Sequence, residues 1–91
     1  MEESEEILRV SGSTPADKLG SAIAHHIYEG KRVALRAVGA PAVNQAMKAV
    51  AIASGHTAKR GVHLSVRPGF IDVPMPDKVV TGMLFRVLVE Q

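Results

Sequence analysis

The sequence predicts an α/β chain of the α+β kind: a four-stranded mixed sheet in the order β-α-β-α-β-β, with two helices on one face. Two observations lead there. Segments whose apolar residues recur at helical spacing take turns with segments whose apolar residues recur at every second position. The chain has 91 residues, 46% of them hydrophobic, enough for one core and too little for two. Elements alternating in this way around one core form a single sheet with one helical layer.

Residues 1–6, Met1-Glu2-Glu3-Ser4-Glu5-Glu6, are expected to form a flexible acidic tail, and residues 7–91 a single domain. Ile7-Leu8-Arg9-Val10-Ser11 is a short strand bounded by Gly12. Thr14 can cap a helix, Pro15 suits its first position, and Asp17 stands three after Thr14 as a variant capping box. Leu19, Ala22, Ile23 and Ile27 mark one face of that helix, and Gly30 is its stop. From Lys31 to Val38 the chain alternates: Val33, Leu35 and Ala37 point one way, and Arg32, Ala34 and Arg36 the other. That is a strand with one covered face and one partly basic face. Gly39-Ala40-Pro41 breaks it, and Pro41 opens a second, Ala-rich helix. Val43, Ala46, Met47, Val50 and Ala53 are its expected buried stripe, and Gly55 its end. Residues 62–67 alternate again as a strand, Pro68-Gly69 interrupts, and residues 70–73 resume an extended path. Pro74-Met75-Pro76-Asp77-Lys78 reads as a hairpin tip, because two prolines lack donors. Residues 83–89 are the final strand.

Composition removes several functions. There is no cysteine, hence no disulfide and no thiolate metal site. His25 and His26 are adjacent, about 100° apart on a helix, and His56 and His63 lack the spacing of a zinc site, so no metal or cofactor is expected. No Walker motif, G-x-G-x-x-G or G-x-S-x-G occurs, and the acids outside the tail are only Asp17, Glu29, Asp72, Asp77 and Glu90. The expectation is a protein that is not an enzyme. No apolar run nears the ~20 residues that span a bilayer. The acidic start is the reverse of a secretory signal, so the expected location is cytoplasmic. So small a domain without metal or disulfide is expected to self-associate.

Charge points to a partner. The whole chain is +2, but outside the first six residues eleven Lys and Arg face five acids, a net of +6. An acidic tail on a basic body admits an anionic partner, nucleic acid foremost. Val38-Gly39-Ala40-Pro41-Ala42-Val43-Asn44-Gln45 carries a strand into a helix through a glycine turn, where free N–H groups and the helix dipole favour an anion. Asn44 and Gln45 add amide donors, Lys48 lies four after Asn44, and Arg36 leaves the strand nearby. The same features suit an ordinary capped helix, so both roles stay open. Lys59-Arg60 forms a second basic spot, equally at home on a solvated turn, and Lys78 stands at the hairpin tip. Only Tyr28, Phe70 and Phe85 are aromatic, which disfavours a base-stacking aromatic sheet. Phe85 reads as core; Phe70 fits core, dimer contact or exposed platform.

These residues carry a resemblance. The run from Gly39-Ala40 through Asn44-Gln45-Ala46-Met47-Lys48-Ala49-Val50-Ala51-Ile52-Ala53 to Gly55 closely resembles the signature of the bacterial stage V sporulation protein S family. Val10-Ser11, Ser13-Thr14-Pro15 and Pro68-Gly69-Phe70-Ile71-Asp72-Val73 are similar to the same family. The likeness runs over residues 7–90 and departs at the acidic tail, His25-His26 and Pro74-Met75-Pro76. It implies an Alba-like fold, and Alba-like proteins are typically dimers that bind DNA or RNA through the loop opening the second helix, neighbouring basic residues and a hairpin arm. Carried over by position, Arg36, Asn44, Gln45 and Lys48 form a central surface and Lys78 the arm, with Arg9 and Arg60 in support. Archaeal relatives have a more basic loop where this chain has Val38-Gly39-Ala40-Pro41. The implied partners are nucleic acid and a second copy, with Met83, Phe85 and the apolar flank of the second helix as candidate dimer contacts. The alternative is a protein-interaction module that binds no nucleic acid.

Overall fold

The computed structural model describes residues 5–90. Its elements are β1 (Glu5–Val10), α1 (Ala16–Tyr28), β2 (Arg32–Ala37), α2 (Ala40–Ala58), β3 (His63–Pro74) and β4 (Val79–Glu90). The sheet order is β1-β2-β4-β3, with β1 parallel to β2 and β4 antiparallel to both its neighbours. This is the four-stranded mixed sheet and the β-α-β-α-β-β order that the alternation of periods predicts. No described helix is long and apolar enough to cross a membrane.

One face of the sheet holds the core. Leu8 and Val10, Val33, Leu35 and Ala37, and Phe85 and Val87 meet Leu19 and Ile23 of α1 and the small residues of α2. Phe85 is therefore core, only 5% exposed, and offers nothing to a dimer. The molecule is only 17 Å thick in its shortest dimension, room for one sheet and one helical layer. Among the described residues no helix packs on the second face of the sheet, although Ala34 and Leu84 of that face are buried among their neighbours.

The buried stripe of α2 is Ala42, Ala46, Ala49, Ala53 and Thr57, while Val43, Met47 and Val50 are only partly covered. Small residues let the helices approach closely. A Cβ added at Gly20 of α1 would lie 2.7 Å from Ile52 Cγ2 and 3.0 Å from the Ala49 carbonyl oxygen. Both helices stop on a left-handed glycine, Gly30 (φ 78) and Gly61 (φ 76). At each the following N–H reaches back to an orphan carbonyl, Lys31 to His26 and Val62 to Thr57. Gly30 is the stop predicted; Gly55 is not, since α2 runs through it to Ala58.

Other expectations shift. Glu5 and Glu6, assigned to the tail, are the first residues of β1, drawn in by Arg86 at 3.4 Å from Glu5 and Lys31 at 3.7 Å from Glu6. Residues 1–4, the rest of that expected tail, lie outside the described residues. Thr14 caps no helix: its hydroxyl accepts the Ser11 N–H at 2.8 Å, and Asp17 makes no cap bond. Pro68-Gly69 does not interrupt β3, since Pro68 pairs with Phe85 and Gly69 with Leu84. A proline is tolerated there because β3 is the outermost strand, and its missing donor faces away from the ladder. β4 begins at Val79, four residues before the expected start.

Candidate nucleic-acid interface

Topology gathers several predicted residues at one end of the molecule. Each helix returns from the end of one parallel strand to the start of another, so α1 and α2 both begin where β1 and β2 finish. Their two entry loops touch: a Cβ on Gly12 would lie 2.8 Å from the Pro41 side chain. Gln45 Nε2 donates to the Thr14 carbonyl at 2.9 Å and ties the two helix starts together, while its own Oε1 accepts from Asn44 at 3.1 Å. Neither helix has a side-chain cap, so first-turn N–H groups of both lack a side-chain partner at the positive ends of two dipoles; Pro41 has no N–H to offer, and Asp17 places a carboxylate in the first turn of α1. Gly39, with φ 89, makes the turn into α2 that a side chain would strain.

The hairpin projects from this same end. β2 pairs only with Met83–Val87 of β4, and the hairpin continues past Ala37 to the Met75–Lys78 turn. Lys78 therefore stands at the tip of an arm, beside Asp77. Asn44 and Lys48 are exposed on the outer side of α2.

Other predicted residues do not join them. Arg9 and Arg36 lie at this end but on the uncovered sheet face, because their neighbours Leu8, Val10, Leu35 and Ala37 fill the helix-side core. Lys59 and Arg60 follow the far end of α2. There the Arg60 guanidinium lies 4.1 Å from the Tyr28 ring centroid, and the Tyr28 hydroxyl donates to the His56 carbonyl at 3.2 Å. Ser21, His25, Tyr28, His56, Lys59 and Arg60 line a shallow recess of about 380 Å³ at that end. Beside it Glu29 accepts from Lys31, with Nζ at 3.3 Å, and faces His25 at 3.3 Å; the Lys31 bond first, then the His25 charge, holds its carboxyl below the usual range.

The uncovered face holds two residues that sequence reasoning passed over. Arg67 and Arg86 share it with Arg9, Arg36 and Arg32, the last already placed opposite the core by strand alternation, since Val33, Val66, Phe85 and Val87 turn the other way. The signal was present: in each strand an arginine occupies the phase opposite to the core residues. Only four separate strands laid side by side reveal that these phases coincide. Among the described residues no group of three or more His, Asp or Glu comes together as a metal site.

The match to the family model described as "Stage V sporulation protein S (SpoVS)" runs over residues 6–90. Among solved structures, Alba from Thermoplasma volcanium superposes with a TM-score of 0.56 at 14% identity, over 94% of this chain and 100% of that one. At such low identity the likeness is one of fold, and the fold is Alba-like. With the family's pattern carried through nearly all of its length, the chain belongs to the stage V sporulation protein S family.

Proposed function

We propose that this chain is a non-catalytic nucleic-acid-binding protein, regulatory or nucleoid- or RNA-associated, working in the cytoplasm as a homodimer. The observation that carries the reading is the shared end of the two helices. Two uncapped helix starts lie together, next to exposed Asn44 and Lys48, at the end from which the hairpin carries Lys78 outward. Backbone N–H groups and lysines at that end suit phosphates of DNA or RNA and give little sequence preference. Arg9 and Arg36 reach the same end from the other face. Gln45 acts as the brace that fixes the two entry loops, and Lys59 and Arg60 contribute only to the general positive field.

The test is a titration of labelled duplex, single-stranded DNA and RNA at low salt and at about 0.2 M salt. Lys48→Ala with Lys78→Ala is expected to weaken binding and to flatten the salt slope by about one per lost contact. Equal binding by the double variant at every salt concentration removes those lysines from the site.

A second reading, a protein-interaction module, has one observation in its favour. Phe70 is 80% exposed and Val79 64% exposed on the hairpin. Absence of binding to every nucleic acid at low salt selects it.

A further inference from the structure

The uncovered sheet face carries an arginine on every strand. Arg9 of β1 stands directly opposite Arg36 of β2, and Arg86 of β4 directly opposite Arg67 of β3. Arg86 pairs with Ala34, two residues from Arg36 and on the same face, so the two pairs join diagonally. The result is a track crossing the whole sheet, spanning three inter-strand steps of about 4.8 Å each. Arg32 flanks it.

Three features set this track apart from scattered surface charge. Like charges directly opposite in a sheet are destabilising, and this sheet holds two such pairs. Arg9, Arg36 and Arg67 make no ion pair with any described residue, and Arg86 has only the exposed Glu5 at 3.4 Å. Five of the six arginines are on this face, and all five lysines are elsewhere. Arginine offers a planar fork that grips phosphate with two bonds and a flat face that stacks on a base; lysine offers neither.

The floor of the face is flat and low. Ala34 lies beside Arg86, and the buried Leu84 and then Gly69 continue the row of Arg9 and Arg36; no element rises from this floor that could enter a duplex groove. A recess of about 500 Å³ opens at the margin of the track, between Arg32, Arg67 and Arg86 of this face and Ile27 and Val33 of the helix side, with Glu5 also in its wall. That volume lies in the range of small-ligand pockets. An unpaired base can turn into it; a base held in a duplex cannot.

We infer that the uncovered sheet face is a docking platform for single-stranded nucleic acid, with phosphates gripped along the arginine track and bases stacked on guanidinium planes. The inference rests on the reading of the chain as a nucleic-acid binder and adds the surface and the strandedness of the ligand. The guanidiniums take the place that aromatic rings hold on other base-stacking sheets.

The experiment measures binding of labelled oligo-dT, oligo-U and a mixed-sequence duplex to the intact chain by fluorescence anisotropy across a salt series. The wild type is expected to bind one or both single strands more tightly than the duplex. Arg9→Ala/Arg36→Ala/Arg67→Ala is expected to lose about tenfold or more in single-strand affinity, with a salt slope shallower by about 2, at ~0.7 per lost phosphate contact. Its melting temperature is expected to hold or rise, because two like-charge pairs are relieved. Arg67→Glu alone, exposed on the outermost strand, gives the same test with least disturbance to folding. A preference between oligo-dT and oligo-U, which differ in the sugar and in the 5-methyl group of the base, supports the platform either way. Unchanged single-strand binding in both arginine variants, with loss in the Lys48/Lys78 variant, overturns the platform and leaves the proposed function standing. A duplex preference in the wild type also overturns it. No binding of any probe by the wild type at low salt overturns both.

Discussion

Glu29 shows how one side chain is tuned by its surroundings. It closes α1 beside Lys31, His25 and His26, and the Lys31 hydrogen bond first, then the neighbouring His25, holds its carboxyl below the usual range. A carboxyl lowered on folding adds stability above its unfolded pKa, and that contribution is lost as pH falls through the folded value. Glu29 is solvent-exposed, so screening keeps the effect small. The expectation is that Glu29→Gln narrows the drop in urea midpoint between about pH 7 and about pH 3. An identical drop in variant and wild type would show that Lys31 and its neighbours contribute nothing through Glu29. At this scale the sequence was legible where the cause is local and opaque where it is distant. Gly30 stops α1 because the chain itself demands a left-handed residue there. Arg60 finds Tyr28, thirty-two positions away, only after the helices have docked. Gln45 was singled out as a donor toward phosphate, yet its amide is already committed to the Thr14 carbonyl.

Among the elements, the contact between α1 and α2 depends most on side-chain size. Gly20 meets Ile52 and the Ala49 carbonyl, and a methyl group there would be forced against a backbone atom that cannot turn aside. Alanine would gain about 1 kcal/mol in helix propensity. Overpacking costs about 1–3 kcal/mol, and the backbone clash puts this site toward the upper part of that range. Gly20→Ala is therefore expected to lower the melting temperature, by roughly 4–8 °C for each net kcal/mol. A variant melting at or above the wild type would show that the helices can part without loss. The Ala-rich run made α2 easy to read, but its true stripe is the alanines, with the larger Val43, Met47 and Val50 at the flank. Close helix approach selects small residues, a preference that a simple hydrophobic period does not express. Gly55 looked like a terminator because glycine often is one. It lies exposed on α2, with nothing near its missing Cβ, and the helix passes through.

For the molecule as a whole, the two-layer build separates residues that are neighbours in sequence. Arg36 and Lys48 are twelve positions apart, yet one lies on the open sheet face and the other on the outer side of α2. Strand alternation assigned Arg36 to the side opposite the covered face correctly; carrying Arg36 and Lys48 onto one surface overlooked that the sheet lies between them. The helix-side flank has a further consequence. Phe70 pairs with Met83, and both lie on the side where Val43, Met47 and Val50 are only partly covered. This flank is the candidate seat of a second copy, and Phe70→Ser is expected to shift the mass measured by light scattering from dimer to monomer. A dimer of unchanged strength would place the contact elsewhere. The outer margin of β3 limits how copies can meet. Pro68 and Pro74 are six positions apart on that strand, so their nitrogens point the same way, outward from β4. A foreign strand laid along this margin would find no hydrogen to accept at either place. Growth of the sheet into a cross-β ribbon is blunted on that side, and an exposed twelve-residue border is kept from seeding fibrils.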